Sequence, residues 1–243
     1  MKNVHHTINT GDARPLRDAL CRHLINHQEV LDEQVKNMLK NNVIRPSRSS
    51  WSSNVVLVQK KDNKLRFCVD YRRLHEKTIK GAYPLPRISA CLDALGDAQY
   101  FSIFDLRSGY HQVLMEPADA EKTAFVTRGG LYEYRLMPFG LCNAPTTFQR
   151  LMDLTLSDLN LLILLVYLDD IIVYSKTITE HLERLELLFR RLSAANLKLK
   201  PSKCFLLQKK VVFLIKVWAL KTIKSKVLET GRSRGVLRTL EAS

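Results

Sequence analysis

The chain has 243 residues, 46% of them apolar, which is a globular composition. At about 150 residues per domain that is one large domain or two small ones, long enough to bury a core. Lysine and arginine outnumber aspartate and glutamate by 38 to 24, and the resulting +14 argues for a polyanionic partner such as nucleic acid without specifying a fold. The longest apolar run, Leu161 to Leu168, is far short of the ~20 residues that cross a bilayer, so no membrane span is expected. The charged, His-rich start contains no signal-peptide pattern. Five scattered cysteines (Cys21, Cys68, Cys91, Cys142, Cys204), none with CxxC spacing, disfavour a disulfide scaffold or a zinc ribbon and suit a reducing, intracellular compartment.

The charge is uneven. Residues 198–243 hold 12 basic and two acidic side chains, so they carry +10 of the +14. The ordinary reading of such a tail is a solvated basic extension. Any claim of the body to bind nucleic acid must therefore rest on particular residues.

Met1 to Pro15 has no strong period and reads as an arm. Apolar spacing predicts a helix over Glu29–Leu39. The Ser-rich stretch from Pro46 is a loop, and Val55–Gln59 and Leu65–Val69 are two β-prone runs joined by a basic turn, hence a hairpin. Pro84 and Pro86 mark an extended joint before a short helix, Ile88–Leu95, closed by Gly96. Tyr100–Leu106 alternates as a strand, and Ser108–Met115 continues irregularly. Lys122–Thr127 and Leu131–Leu136 form a second hairpin about Arg128-Gly129-Gly130. A helix follows over Ala144–Thr155, with Pro145 in its first turn and Asn143 placed to cap it. Leu161–Tyr167 and Ile171–Tyr174 are strongly β-prone, and an amphipathic helix opens at Thr179. Lys203–Leu207 and Val211–Leu214 make a last pair of possible strands. Connections too short for crossover helices favour an α+β domain with an antiparallel sheet.

The chemistry lies in Tyr167-Leu-Asp-Asp170, two aspartates between two apolar strands. Such a pair is usually a solvated hairpin tip. Here the flanks are deeply apolar, and another strand ends in a carboxylate of the same kind, Asp105. If those strands are neighbours, Asp105 and Asp169 converge, their charges repel, and a hard divalent cation such as Mg²⁺ would relieve the repulsion. Two such ions about 4 Å apart would activate a 3′-hydroxyl and stabilise a leaving pyrophosphate.

The motifs WSSNVVLVQKKDNKLRFCVDYRRLH (51–75), YPLPRI (83–88), FSIFDLRSGYHQV (101–113), KTAFVT (122–127), LMPFGLCNAPTTFQR (136–150) and VYLDDIIVYSKT (166–177) stand in this order. Together they resemble the reverse transcriptase domain of gypsy-like LTR retrotransposon Pol polyproteins, from about residue 7 to about 214. The resemblance implies a right-hand polymerase fold of fingers and palm with an antiparallel palm sheet. It divides the chain into an N-terminal arm and fingers (1–82), palm (83–112), fingers (113–143), palm (144–214) and a divergent basic tail (215–243), with the thumb missing. It implies that Asp105 and Asp169 bridge two Mg²⁺, or Mn²⁺ as a substitute, with Asp170 assisting. Tyr110 would block a ribose 2′-hydroxyl, Lys60 and Arg66 would hold the triphosphate of a dNTP, and Phe139 and Gly140 would lie beside the incoming base pair. Trp51 could stack on template but reads better as a core anchor.

The implied activity is RNA-directed DNA polymerisation on an RNA or DNA template with a primer, and cytoplasmic location follows by analogy with particle-borne elements. Ile215 stands where the family has glycine, Asn54 stands where it has proline, and nothing from Lys216 onward resembles it. The rival reading is an inactive remnant that binds nucleic acid without extending a primer. An antiparallel-sheet RNA-binding module is a more distant rival.

Overall fold

The computed structural model describes residues 4–21, 25–59, 63, 65–84, 94–167 and 170–209. The chain runs β1 (His5–His6), α1 (Ile25–Lys40), β2 (Ile44–Pro46), β3 (Ser53–Gln59), β4 (Leu65–Val69), α2 (Arg72–Lys77) and β5 (Tyr100–Asp105). It continues through β6 (Leu114–Met115), β7 (Phe125–Thr127), β8 (Gly130–Tyr134), α3 (Ala144–Leu156), β9 (Leu164–Tyr167), β10 (Asp170–Ser175), α4 (Ile178–Ala194) and β11 (Phe205–Gln208). A 3₁₀ turn covers Gly109–Gln112 between β5 and β6, and another covers Pro201–Lys203 before β11.

Two main sheets result. The first has the order β2-β8-β7-β3-β4, antiparallel except for the parallel pair β3–β7. That pair is possible because the chain builds β5 and β6 before returning to β7, and only a long connection can bring a strand back in the same direction. The predicted hairpin is β3–β4. Val55 and Val69 are buried at its base, whereas Val56 and Val58 are exposed. Trp51 is buried at 6% exposure, as a core anchor should be.

The second sheet, β11-β5-β10-β9, is antiparallel throughout. Its middle strands read as continuous apolar runs because both faces are covered. On one face Phe104, Val166, Ile171 and Val173 join Phe148 of α3 and Leu185, Leu188 and Leu192 of α4. On the other, Leu165, Ile172 and Tyr174 pack with Phe101, Ile103 and the segment Ala94–Ala98.

α4 begins at Thr177, whose side chain accepts from the Glu180 amide, and its buried stripe includes His181. This imidazole lies between two serines, with Nε2 2.8 Å from Ser102 Oγ and Nδ1 2.9 Å from Ser175 Oγ. Ser175 Oγ already donates to the Thr177 carbonyl, so it accepts from Nδ1–H. Nε2 then accepts from the Ser102 hydroxyl, whose oxygen in turn accepts from the Leu207 amide. Burial first, then the nearby Arg184 charge, lower the His181 pKa, which favours this single neutral tautomer. The network ties α4 to β5, β10 and β11.

Several expectations change. The strand expected over Lys122–Thr127 begins only at Phe125, because Ala120–Thr123 form a 3₁₀ turn. The strand predicted from Leu161 starts at Leu164, because Leu161 adopts φ +66° and its amide closes a turn onto the Leu164 carbonyl. The helix after residue 28 is longer than its apolar stripe, running Ile25–Lys40. Asn143 stands before α3 without capping it through its side chain. Instead its Oδ1 accepts from Gly81 N at 3.1 Å and its Nδ2 donates to Ile79 O at 2.9 Å, pinning a remote loop. The expected Val211–Leu214 strand and the tail lie outside the described residues, as does most of the Ile88–Leu95 helix.

The arm is fastened by β1, which pairs in parallel with β6, and by His6, whose Nδ1 is 2.8 Å from Thr147 Oγ1 on α3. Burial lowers the His6 pKa from 6.5 to about 4, opposed in part by the Asp119 charge. The unfolded chain therefore takes up this proton first as pH falls. The stabilisation is complete above about pH 6.5 and is lost progressively toward pH 4, by about 3 kcal/mol in all. Urea melts between pH 8 and pH 4 check this: His6→Gln should flatten the acid limb, and an unchanged slope would show that His6 is not the group responsible.

Candidate functional site

β5 ends on Asp105 and β10 begins on Asp170, and the two are register partners in the antiparallel ladder. Facing residues in such a ladder share one side of the sheet, with Cβ atoms about 5 Å apart. By alternation Asp105 lies on the Phe101–Ile103 side and Asp170 on the Ile172–Tyr174 side, which is the face away from α3 and α4. Tyr167 is the register partner of Asp170 on β9 and so belongs to the same face. Asp169 is covalently next to Asp170 but lies outside the described residues, as does Lys60.

A cation already meets the Asp105 carboxylate. Lys203 Nζ stands 2.8 Å from Asp105 Oδ2, with Asp105 only 18% exposed. The approach is fixed by backbone: Lys200 N donates to Asp105 O at 2.9 Å, and β11 pairs with β5 on the edge opposite β10. Lys203 begins a run that the sequence marks as a possible strand, but nothing in its local pattern points to Asp105, 98 residues away.

Among the described residues no group of three His, Cys, Asp or Glu side chains is placed to hold a metal ion. The donors that are present, two register-paired carboxylates, are the hard oxygen type that Mg²⁺ or Mn²⁺ prefers, and a third carboxylate, that of Asp169, is adjacent in the chain. The chemistry of the donor set fits a divalent cation.

A second cluster is aromatic. Tyr110 sits in the 3₁₀ turn after Ser108, which itself adopts φ +47°. Its ring stacks on Phe139 (centroids 5.0 Å apart, planes at 28°) and tilts against Phe148 at 5.4 Å. His111 meets Phe139 edge-on at 5.4 Å, and burial lowers the His111 pKa, favouring the neutral ring. Arg66, exposed on β4, places its guanidinium carbon 5.2 Å from the Phe139 centroid. Gly140 follows with φ +97°, a conformation that favours glycine. Its carbonyl lies 2.5 Å from His75 Nε2 on α2, a contact the sequence does not advertise. Four of the predicted residues, Arg66, Tyr110, Phe139 and Gly140, thus lie in one connected group, while Asp105 and Asp170 form another on the second sheet.

Gln112 was also overlooked. Its Nε2 donates to the carbonyls of Arg107 (2.9 Å) and Lys198 (3.0 Å), and its Oε1 accepts from Lys198 N at 2.7 Å. It replaces a missing rung of ladder between the end of β5 and the strand-like segment that leads to Lys203.

The profile of the family "Reverse transcriptase (RNA-dependent DNA polymerase)" matches residues 58–216, which includes both clusters. The chain belongs to the reverse transcriptase family. Over 216 residues it is 43% identical to the Retrovirus-related Pol polyprotein from transposon 297 of Drosophila melanogaster, covering 87% of this chain and 20% of that one. It is 37% identical over 218 residues to the polyprotein from transposon gypsy of the same organism, covering 87% and 21%. Among solved structures it resembles the foamy viral protease-reverse transcriptase in complex with RNA/DNA hybrid, with TM-score 0.80 and 25% identity over 88% of this chain and 28% of that one. The same viral protein in complex with dsDNA gives TM-score 0.76 and 26% identity over 86% and 44%. The chain spans about a fifth of the curated relatives' length. The α+β architecture with an antiparallel second sheet is thus that of a reverse transcriptase. No helix among the described residues is long and apolar enough to cross a membrane.

The Gln112 clip has a measurable worth in this reverse transcriptase domain. Gln112→Ala removes three hydrogen bonds at a partly solvated site and should cost about 1–2 kcal/mol. Urea denaturation should show a lower midpoint with an unchanged slope, and an unshifted midpoint would mean that water replaces the amide without loss.

Proposed function

We propose that this chain is the fingers and palm of an RNA-directed DNA polymerase that adds dNTPs to a primer 3′-hydroxyl on an RNA or DNA template. The observation that carries the reading is the register of Asp105 opposite Asp170 at the end of a buried antiparallel sheet. In this reading residues 1–82 and 113–143 are arm and fingers, 83–112 and 144–214 are palm, and 215–243 a divergent tail. The cytoplasm is the working compartment, by analogy with particle-borne elements.

Asp105 and Asp169 would hold the divalent ions, Mg²⁺ or Mn²⁺ in its place, with Asp170 assisting. Bound there, the ions supply Lewis-acid activation of the primer hydroxyl and charge neutralisation at the leaving pyrophosphate. Everything else falls to side chains. The sheet keeps Asp105 and Asp170 from relaxing apart despite their repulsion, since both sit on strands buried on two faces. Lys203 offsets part of that repulsion at Asp105. Arg66, a planar fork, and Lys60, a point charge, hold the triphosphate from the β3–β4 hairpin. The Phe139-Gly140 turn, where glycine permits close backbone approach, lies beside the base pair. Tyr110 closes the ribose side against a 2′-hydroxyl. No acid–base role is given to His111, which burial favours as the neutral ring.

The support is combined: family membership, carboxylate register and the aromatic cluster. The foamy viral relative's complex with RNA/DNA hybrid supports a template–primer duplex as the ligand. Primer extension on poly(rA)/oligo(dT) with Mg²⁺ or Mn²⁺ tests it. Wild-type chain should incorporate dTTP, and Asp105→Asn or the Asp169→Asn, Asp170→Asn pair should lose about 100-fold or more, the worth of several kcal/mol at the barrier. Salt-sensitive duplex binding with no incorporation by the wild type would instead support the inactive remnant, a reading favoured by Ile215 in place of the family's glycine.

A further inference from the structure

We propose that Phe139 is a positioning residue for sugar discrimination, acting by holding the Tyr110 ring between itself and Phe148. The inference rests on the reading of Tyr110 as the residue that blocks a ribose 2′-hydroxyl. It goes beyond that reading by naming what makes the block rigid.

A steric block discriminates only if it cannot turn aside. Tyr110 stands in a short 3₁₀ turn entered through a left-handed Ser108; hydrogen bonds from His111 N to Ser108 O and from Val113 N to Tyr110 O fix the backbone but not the rotation of the side chain. Its ring is held from two sides. Phe148, fully buried on α3, is the fixed inner wall at 5.4 Å. Phe139, 39% exposed and stacked at 5.0 Å, is the outer wall. The outer wall is itself braced. Gly140 beside it is tied through its carbonyl to His75, the His111 ring abuts the Phe139 face edge-on, and the Arg66 guanidinium lies over its ring. Phe139 therefore joins a residue of the first sheet, Arg66, to the turn that carries Tyr110.

Loss of the outer ring should let Tyr110 rotate toward the space it leaves. Leucine keeps apolar bulk but forfeits ring stacking, an offset-stack preference on the scale of about 3- to 10-fold in a population. Tyrosine keeps the ring. The contact with Arg66 would weaken too, but that acts on triphosphate, which dNTP and rNTP share, so it cancels in the ratio of their kcat/KM values.

Steady-state single-nucleotide extension with dTTP and UTP is measured for wild type, Phe139→Leu, Phe139→Tyr and Tyr110→Ala. Phe139→Leu should lower the dTTP/UTP selectivity by about 3- to 10-fold, Phe139→Tyr should keep it, and Tyr110→Ala should lower it further. Unchanged selectivity in Phe139→Leu while Tyr110→Ala loses it overturns the role of Phe139 alone. Unchanged selectivity in Tyr110→Ala overturns the role of Tyr110, and with it the inference. A readout independent of turnover accompanies these: NMR of ring-labelled tyrosine in the full chain. Phe139→Leu should shift the Tyr110 ring resonances toward unstacked values while Phe139→Tyr leaves them in place. Tyr110 resonances that ignore Phe139→Leu would refute the stack as a restraint.

Discussion

In an antiparallel ladder, residues that face one another across two strands also share a face of the sheet, and in this chain Asp105 faces Asp170. Two carboxylates so placed repel, and in solution they would drift apart. They cannot here, because each ends a strand whose neighbours are locked in register: Ile171 with Phe104, Ile172 with Ile103 and Val173 with Ser102. The apolar faces of those residues are buried against helices on one side and the Ala94–Ala98 segment on the other. Burial of hydrocarbon thus stabilises an arrangement of charge that is unfavourable by itself. Asp105 gains a second compensation because β5 has two edges. One brings the like charge of Asp170 and the other brings Lys203.

The rear of the sheet shows how this register is maintained. His181 could in principle accept a proton and break its network, since an imidazolium cannot accept from Ser102. Burial opposes that, and the donor–acceptor order from the Leu207 amide through Ser102, His181 and Ser175 to the Thr177 carbonyl has one consistent direction. Such a chain is satisfied only when β5, β10, β11 and the start of α4 are all in place, so it rewards the complete assembly over any part.

Much of the architecture was legible because it rests on local pattern. The β3–β4 hairpin, the apolar strands around Asp169-Asp170 and the α4 stripe of Leu185, Leu188 and Leu192 follow from period and turn chemistry. The placement of Asp105 and Asp170 at the ends of apolar strands was legible for the same reason, since Asp there conflicts with propensity. What escaped depends on register across long separations. Lys203 reaches Asp105 from 98 residues away, Gln112 reaches Lys198 from 86, and His75 reaches Gly140 from 65. Nothing in the local spacing of those residues distinguishes them from solvated side chains. Asn143 is the instructive error. Its position before α3 suits a cap, but the same amide oxygen is used by the Gly81 amide, and one oxygen engaged by a distant loop no longer serves the helix end.

The two clusters differ in what holds them. The carboxylate end belongs to a sheet buried on both faces. At the aromatic end, exposed Arg66 of β4 touches Phe139 through a cation–π contact, worth only about 0.5–1 kcal/mol at such an exposure. The hairpin's own hold on the fold lies elsewhere, in β3 paired with β7 and in Phe67 packed edge-on against buried Phe125, whereas Tyr110 is backed by fully buried Phe148. Phe139 is the residue at which Arg66 of the first sheet and the turn that carries Tyr110 meet.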